Sequence, residues 1–466
     1  MKINKSYKII TILLFFLIII ILGLISRLQQ SPSPNIILIT VDALRPDHLG
    51  CYGYQRQTSP NIDKLAKEGV VFLNCFATGP DTIASLPGFF TGRYLEVETP
   101  KHLLTSDNLL DEKFTTLAEY LKTMGYHTAV FGNHPFLKIN KGFGQGFDYY
   151  CMDQRIKDSE EITKRVLEFL NCYQGNKPLF IWIHYLDTHV PYIPSEECLK
   201  KFENDNLYKT NDKVLELRPK QVPSITYFDS LGYIPPAVFR KSKYNLNYYI
   251  ARYDAAICHA DFYIGELLKN IRDNTLIILS ADHGESLGEH KVYFTHSESI
   301  YDEVLHIPLI IKDNRYFKKG KKVAGMVSSV DIVPTILNRI NPVWHFFNKH
   351  RFNGVALEEL VKNKEMKRKY LYSYYAHNVR LIRDIKRNIK YTIRKNGEQE
   401  LYFLPDEYAN RAKDDSLGVI QIKEELKREL KTWLKHYPLR ADINPQKKVL
   451  DEETKELLRS LGYLQQ

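Results

Sequence analysis

The chain has 466 residues, 44% hydrophobic and 26% charged, with a formal net charge of +10. That length and composition suit one large folded domain with a smaller appendage and exclude a disordered scaffold, and no fixed-period repeat marks a solenoid. The basic excess gathers in KNKEMKRK (362–369) and RLIRDIKRNIKYTIRK (380–395), which read as solvated faces or as attraction for anionic headgroups or polymers rather than for nucleic acid.

In chain order, Ile9 to Ser26 form an uncharged apolar run of eighteen residues, long enough to cross a bilayer as one helix. Lys2, Lys5 and Lys8 precede it and only Arg27 follows closely, so the basic flank predicts a single-pass cell-membrane anchor, its N-terminus cytoplasmic and the rest extracytoplasmic. A cleaved signal peptide is the competing reading, but LGLISRLQQ offers no clear small-x-small site. Six cysteines in an exported chain allow more pairings than the sequence can choose among.

After a QQSPSP linker, NIILITV (35–41) has the length and branching of a buried strand, and similar runs recur at HTAVF (127–131), PLFIWIH (178–184), NTLIILSA (274–281) and IPLII (307–311). Between them lie amphipathic segments at 59–69, 159–172 and 244–271. The alternation predicts an α/β fold with a mostly parallel central sheet sandwiched by helices. Residues 200–242 are Pro-rich and irregular, a candidate substrate-facing loop or a plain surface insertion. From about 346, YLYSYYA, VRLIRD and IKYTIRK read as antiparallel strands and VIQIKEELKRELKTWLKH (419–436) as a helix, predicting a smaller α+β domain. The expected organisation is therefore 1–30 basic tip and transmembrane helix, 31–345 catalytic domain, and 346–466 C-terminal subdomain.

Ligands in such sheets gather beyond the carboxyl ends of the strands. Asp42 stands just past one such end and Asp282 with His283 past another, where a metal site would be built. Thr82 and Ser85 sit ahead of a Phe-Thr-Gly in FATGPDTIASLPGFFTGRY (76–94), and HYLDTHVPY (184–192) follows a third strand.

The opening PNIILITVDALRPDHLGCYGYQRQTSPNIDKLAKEGVVF resembles that of the sulfatase family, within the alkaline phosphatase-like superfamily. DHGESLGEHKVYFTHSESIYDEVLHIPLII resembles its second signature, DTHVPY its central one, and GEQELYFLPDEYANRAKD with LLRSLGYL its C-terminal end, so the resemblance runs in order through nearly the whole chain after the apolar run. It implies a metal-held nucleophile attacking a sulfate or phosphate ester, with Asp42, Thr82, Asp282 and His283 on the cation. Sulfatases carry C/S-x-P-x-R, whose Cys or Ser is oxidised to formylglycine nine residues before the Thr of a Thr-Gly. Counting back from Thr91 lands on Thr82, whereas Ser85 lies three residues too near and Phe89 replaces the Arg of the motif that Ser85 begins. Thr82 is thus the expected nucleophile. Its β-methyl prevents formylglycine formation, which leans the chemistry towards phosphoesters. Relatives using Thr, such as lipoteichoic acid synthases and phosphoethanolamine transferases, transfer phospho-headgroups.

The same resemblance makes His189 a leaving-group contact, His296 a stand-in for a substrate-touching Lys, and Asn133 and His134 weaker site members. Ala43 replaces a second Asp, and His283 an amide, which points to one Mn²⁺, Zn²⁺ or Ca²⁺ ion. Arg45 and His290 are motif members with either a structural or a functional part. The resulting expectation is a membrane-anchored hydrolase of a small-molecule, lipid or glycan ester. A phosphotransferase moving a lipid-derived headgroup and an inactive surface binding protein are the alternatives.

Overall fold

The computed structural model describes residues 33–96, 110–138, 141–153, 158–203, 245–296, 299–313, 319–362, 368–375 and 379–437, with short pieces at 15–16, 216–217, 233–234, 317 and 439–440. Eight strands build the central sheet: β1 (Asn35–Val41), β2 (Val70–Phe76), β3 (His127–Gly132), β4 (Tyr149–Met152), β5 (Leu179–Tyr185), β6 (Thr275–Ser280), β7 (His306–Lys312) and β8 (Lys321–Ser328). Their spatial order is β8-β2-β7-β6-β1-β5-β3-β4. Only β7 runs against its neighbours; every other pairing is parallel.

The central strands are apolar throughout because helices cover both faces, so neither side of the pleat meets water. Residues 36–41 of β1 and all of β5 and β6 are buried. The covering helices include α1 (Pro60–Glu68), α2 (Thr82–Thr91), α3 (Ser159–Cys172), α4 (Glu196–Glu203), α5 (Leu246–Lys269) and α6 (Ile332–Ile340). Register fixes the location of the site. Thr40 of β1 lies opposite His184 of β5 on one side and Ser280 of β6 on the other, so three adjacent strands end level with one another.

Beyond residue 369 the chain forms an antiparallel meander, β9 (Tyr370–Tyr375), β10 (Val379–Asp384), β11 (Ile389–Arg394) and β12 (Gln399–Phe403), covered by α7 (Leu417–Leu434). Its own apolar core includes Tyr374, Ile382, Tyr391, Leu426 and Trp433. Strand β9 braces the central domain: the Tyr374 N–H donates to Thr78 O at 2.8 Å and Ser373 Oγ to Ala77 O at 2.7 Å. Both acceptors belong to the turn leading into α2. Gly79 in that turn has no room for a side chain, since a Cβ there would meet Ala84 Cβ at 2.4 Å.

The expected membrane-spanning helix is corrected. Among the described residues no helix is long and apolar enough to cross a membrane. The longest, α5, carries Arg252, Asp254, Asp261, Glu266 and Lys269, and buries one side on the core rather than presenting apolar side chains all round. The Ile9–Ser26 run lies outside the described residues apart from Phe15 and Phe16. The membrane partner, single-pass topology and extracytoplasmic placement rested on that helix and are not carried forward. Residues 29–32 of the QQSPSP linker, most of 200–242 and LLRSLGYL also lie outside the described residues.

Candidate active site at the carboxyl ends of the strands

Asp42 is the first residue past β1, and its backbone N–H is held by Tyr185 O at 2.8 Å, so its side chain enters at the level where β5 and β6 end. Asp282 and His283 follow β6. Thr82 is the first residue of α2, whose N-cap Asp81 accepts the Ala84 N–H at 2.8 Å. Such a cap contributes about 1 kcal/mol and fixes where the helix starts. All ten residues of α2 are buried, an uncommon state that its small residues permit. The residue after Asp42 is strained: Ala43 holds φ 56°, with Tyr253 Oη of α5 donating to its carbonyl at 2.6 Å and accepting the Arg45 N–H at 2.9 Å.

Asp42, Asp282 and His283 are wholly buried, and one ligand-type atom from each lies within 4.8 Å of the others. His283 Nε2 is 3.5 Å from Asp42 Oδ1 and 3.6 Å from Asp282 Oδ2. Thr82 Oγ1 lies 3.5 Å from Asp42 Oδ2 and 3.4 Å from His283 Nε2. Asp42 Oδ1 and Asp282 Oδ2 have no hydrogen-bond partner among the described residues. His283 Nδ1 lies 2.8 Å from Gly284 O, which can only accept, so in the neutral ring Nδ1 carries the proton and Nε2 offers its lone pair to the cluster. Two orphaned carboxylate oxygens and an imidazole lone pair facing one another fit a divalent cation.

Three of the imidazoles expected from the sequence crowd this centre. The Phe136 N–H donates to His134 Nδ1 at 3.2 Å, placing the proton of the neutral ring on Nε2, 3.5 Å from Asp42 Oδ2. The His189 Nδ1–H donates to Val190 O at 2.6 Å, and its ring lies 5.1 Å from that of His296. His296 lies 4.2 Å, ring to ring, from His283. Asn133 is buried next to His134 where β3 ends. Ser85 is one turn into α2, and its hydroxyl has no hydrogen-bond partner among the described residues.

Electrostatics follow from this packing. Burial alone would raise the Asp42 carboxyl, yet His189, His184, His283 and His134 together hold it well below the usual range. Burial likewise opposes charge on His283, but Asp282 and Asp42 raise it above an ordinary imidazole. Burial keeps His134 and His296 well below the usual value, reinforced by the neighbouring rings.

Two buried residues escaped the sequence reading. Trp182 Nε1–H donates to Thr40 Oγ1 at 2.9 Å, and Thr40 Oγ1 is 2.8 Å from His184 Nδ1 against 3.4 Å from Ile183 O. The shorter contact assigns the Thr40 proton to His184 Nδ1, leaving Nε2–H facing Asp42 Oδ2 at 3.5 Å. The available signal was a polar residue two places after Trp182 in an otherwise apolar strand, and hence on the same face. Glu285 is the other: burial pushes its carboxyl up to about 7, His189 and His283 opposing, and it lies 3.4 Å from His296 Nδ1.

Arg45 and His290 make contacts that hold the loops around the site. Arg45 ties the loop after β1 to the loop after β6 through Asp47 at 2.7 Å, Glu289 at 2.9 Å and the Glu285 carbonyl at 3.0 Å. His290 stacks on Tyr301 at 3.6 Å and pairs with Glu303 at 3.0 Å.

A sulfatase family model matches residues 34–341, and a model of the C-terminal region of N-sulphoglucosamine sulphohydrolase matches 288–436. The chain is 25% identical over 344 residues to the uncharacterized sulfatase YidJ of Escherichia coli K12, covering 65% of this chain and 67% of that protein. It is also 25% identical over 386 residues to an N-acetylglucosamine-6-O-sulfatase of Bacteroides thetaiotaomicron, covering 66% and 68%. The phosphonate monoester hydrolase of Agrobacterium radiobacter shares the fold, with a TM-score of 0.66 at 20% identity over 86% of this chain and 95% of that one. The first of these models spans well over half of the sequence, and the chain therefore belongs to the sulfatase family, within the alkaline phosphatase-like superfamily, as a hydrolase acting on sulfate or phosphate esters.

Proposed function

We propose that Asp42, Asp282 and His283 hold one divalent cation, with Thr82 as nucleophile, and that the substrate is a phosphoester borne by a glycan or a lipid. The carrying observation is the position of Thr82 Oγ1, within 3.5 Å of both Asp42 and His283. Mixed oxygen and nitrogen donors favour Mn²⁺ or Zn²⁺, with Ca²⁺ as the third choice. When bound, the cation lowers the pKa of the attacking hydroxyl and neutralises anionic oxygens of the substrate.

The chain's own groups supply the rest. The start of α2 turns the positive end of the helix dipole towards an anion beside Thr82. Thr82 Oγ1 attacks phosphorus as its proton passes to Asp42 Oδ2, and the bond to the leaving alcohol oxygen breaks as His189, entering as the imidazolium with Nδ1–H held by Val190 O, delivers its Nε2 proton to that oxygen. Water then cleaves the phospho-Thr82 ester and releases phosphate. His134 Nε2–H and His296 contact the anion, and Asn133 lines the same pocket. The β-methyl of Thr82 supports phosphate over sulfate, because no aldehyde hydrate can form there to expel sulfate. The N-acetylglucosamine-6-O-sulfatase relative supports a sugar as the carrier.

A screen of sulfate monoesters, phosphate monoesters and phosphodiesters with each metal tests the proposal, using wild type, Thr82→Ala and Asp282→Asn. Phosphoester turnover with a covalent adduct on Thr82 by mass spectrometry is the expected result. Turnover of sulfate esters alone, or an unchanged rate in Thr82→Ala, overturns it.

A further inference from the structure

Among six cysteines, two lie side by side. Cys198 on α4 and Cys258 on α5, 60 positions apart in the chain, have their Sγ atoms 2.7 Å apart. Their helices pack through a small apolar cluster of its own, formed by Cys198, Phe202, Ala251 and Ala255 with Leu199, Ile250 and Cys258 around it. Each cysteine is a thiol here. Sulfurs this close, on two helices already held in register, need almost no backbone movement to join.

We propose that Cys198 and Cys258 are a redox-active pair that closes to a disulfide by exchange with low-molecular-weight disulfides, clamping α4 onto α5. Hydrogen bonding to the Cys258 thiol, against the effect of burial, lowers Cys198 to about 7, which makes Cys198 the attacking sulfur. Its thiolate attacks one sulfur of a disulfide such as oxidised glutathione and displaces one glutathione thiolate. Cys258 then loses its proton and attacks Cys198 Sγ, displacing the second glutathione. Two protein thiols are oxidised by two electrons, and one glutathione disulfide is reduced to two thiols. Cys198 is buried, and the partly buried Cys258 beside it marks the side from which a small reagent reaches the pair.

The clamp acts close to the ester site. Helix α4 begins seven residues after His189. On α5, Arg252 donates to Tyr192 O at 2.9 Å, Tyr253 supports Ala43, and His259 lies 3.6 Å from Asp187. Closing the pair therefore ties the His189 segment to the helix that braces the Asp42 loop.

Full-length protein is incubated with oxidised glutathione, alkylated without reduction, digested and analysed by mass spectrometry. The expected product is a peptide crosslinked through Cys198 and Cys258, absent after reduction, with an oxidised Tm several degrees above the reduced one. In Cys258→Ser the crosslink is lost, Cys198 retains a glutathione adduct, and the redox-dependent Tm shift disappears. Wild type in which both sulfurs are alkylated, or each carries its own glutathione, overturns the proposal. Neither residue belongs to the ester-cleaving site, so these readouts stand apart from activity.

Discussion

Two buried polar clusters in this molecule are built on opposite plans. Around Asp42 the polar atoms stand 3.4–3.6 Å apart, and several find no hydrogen bond among the described residues. Where the C-terminal sheet meets the central domain, buried charges instead meet opposite charges directly. Arg383 pairs with Asp302 and its guanidinium carbon lies 3.9 Å over the ring of Phe76; Lys390 pairs with Glu407 and reaches Ile300 O at 3.1 Å. Asp302 N–H donates to Glu407 at 2.7 Å. The second cluster satisfies itself and serves the fold. The first leaves valence open at low dielectric, a costly arrangement that a ligand relieves.

The sharpest way to break this contrast is Thr82→Ala. Turnover should fall on the order of 10⁴-fold or more, measured as kcat, with Tm nearly unchanged. Next comes Asp282→Asn, which should weaken metal binding by at least ~100-fold in competition with a chromophoric chelator. Without added metal the variant should lose little stability, because Asn keeps the oxygen that accepts the His283 N–H and only the longer 3.6 Å contact with His283 Nε2 is weakened.

The C-terminal cluster should respond the other way. Arg383→Met should cost about 2–3 kcal/mol in denaturant unfolding while metal affinity stays as it was. The cost stays below that of a fully buried pair because Asp302 keeps part of its side chain in water. Burial would raise Asp302, but Arg383 and Lys390 hold it below the usual carboxylate range. Its contribution to stability is therefore complete above the unfolded carboxylate value near pH 4 and is lost as pH falls through the lower folded value. Arg383→Met should flatten that acid limb of the stability profile.

The smallest effect belongs to His184→Phe, which removes the Nε2–H facing Asp42 and the link to Thr40. Metal affinity should drop about tenfold, with KM changing less than kcat. A purely structural role for His184 predicts lower Tm and unaltered metal binding.

Much of this is legible in the sequence. The apolar runs at 35–41, 127–131, 178–184, 274–281 and 307–311 each became a strand, since continuous branched hydrophobics fit only a sheet covered on both faces. Strands β2, β4 and β8 were not among them. Strands β4 and β8 lie at the sheet edges, where partial exposure weakens the apolar signal. Asp42, Thr82, Asp282 and His283 were legible because spacing within motifs survives in a linear sequence. The apolar run near the N-terminus was equally visible, and no described helix answers to it.

The sequence by itself determined which residue types this chemistry has available: two acids, an imidazole, and a threonine that cannot become an aldehyde. Tertiary structure alone decided who joins them. His184 and Glu285 enter because parallel strands end level, so residues more than 100 positions apart share one floor. Burial then sets their protonation, and neither distance nor dielectric is written along a chain.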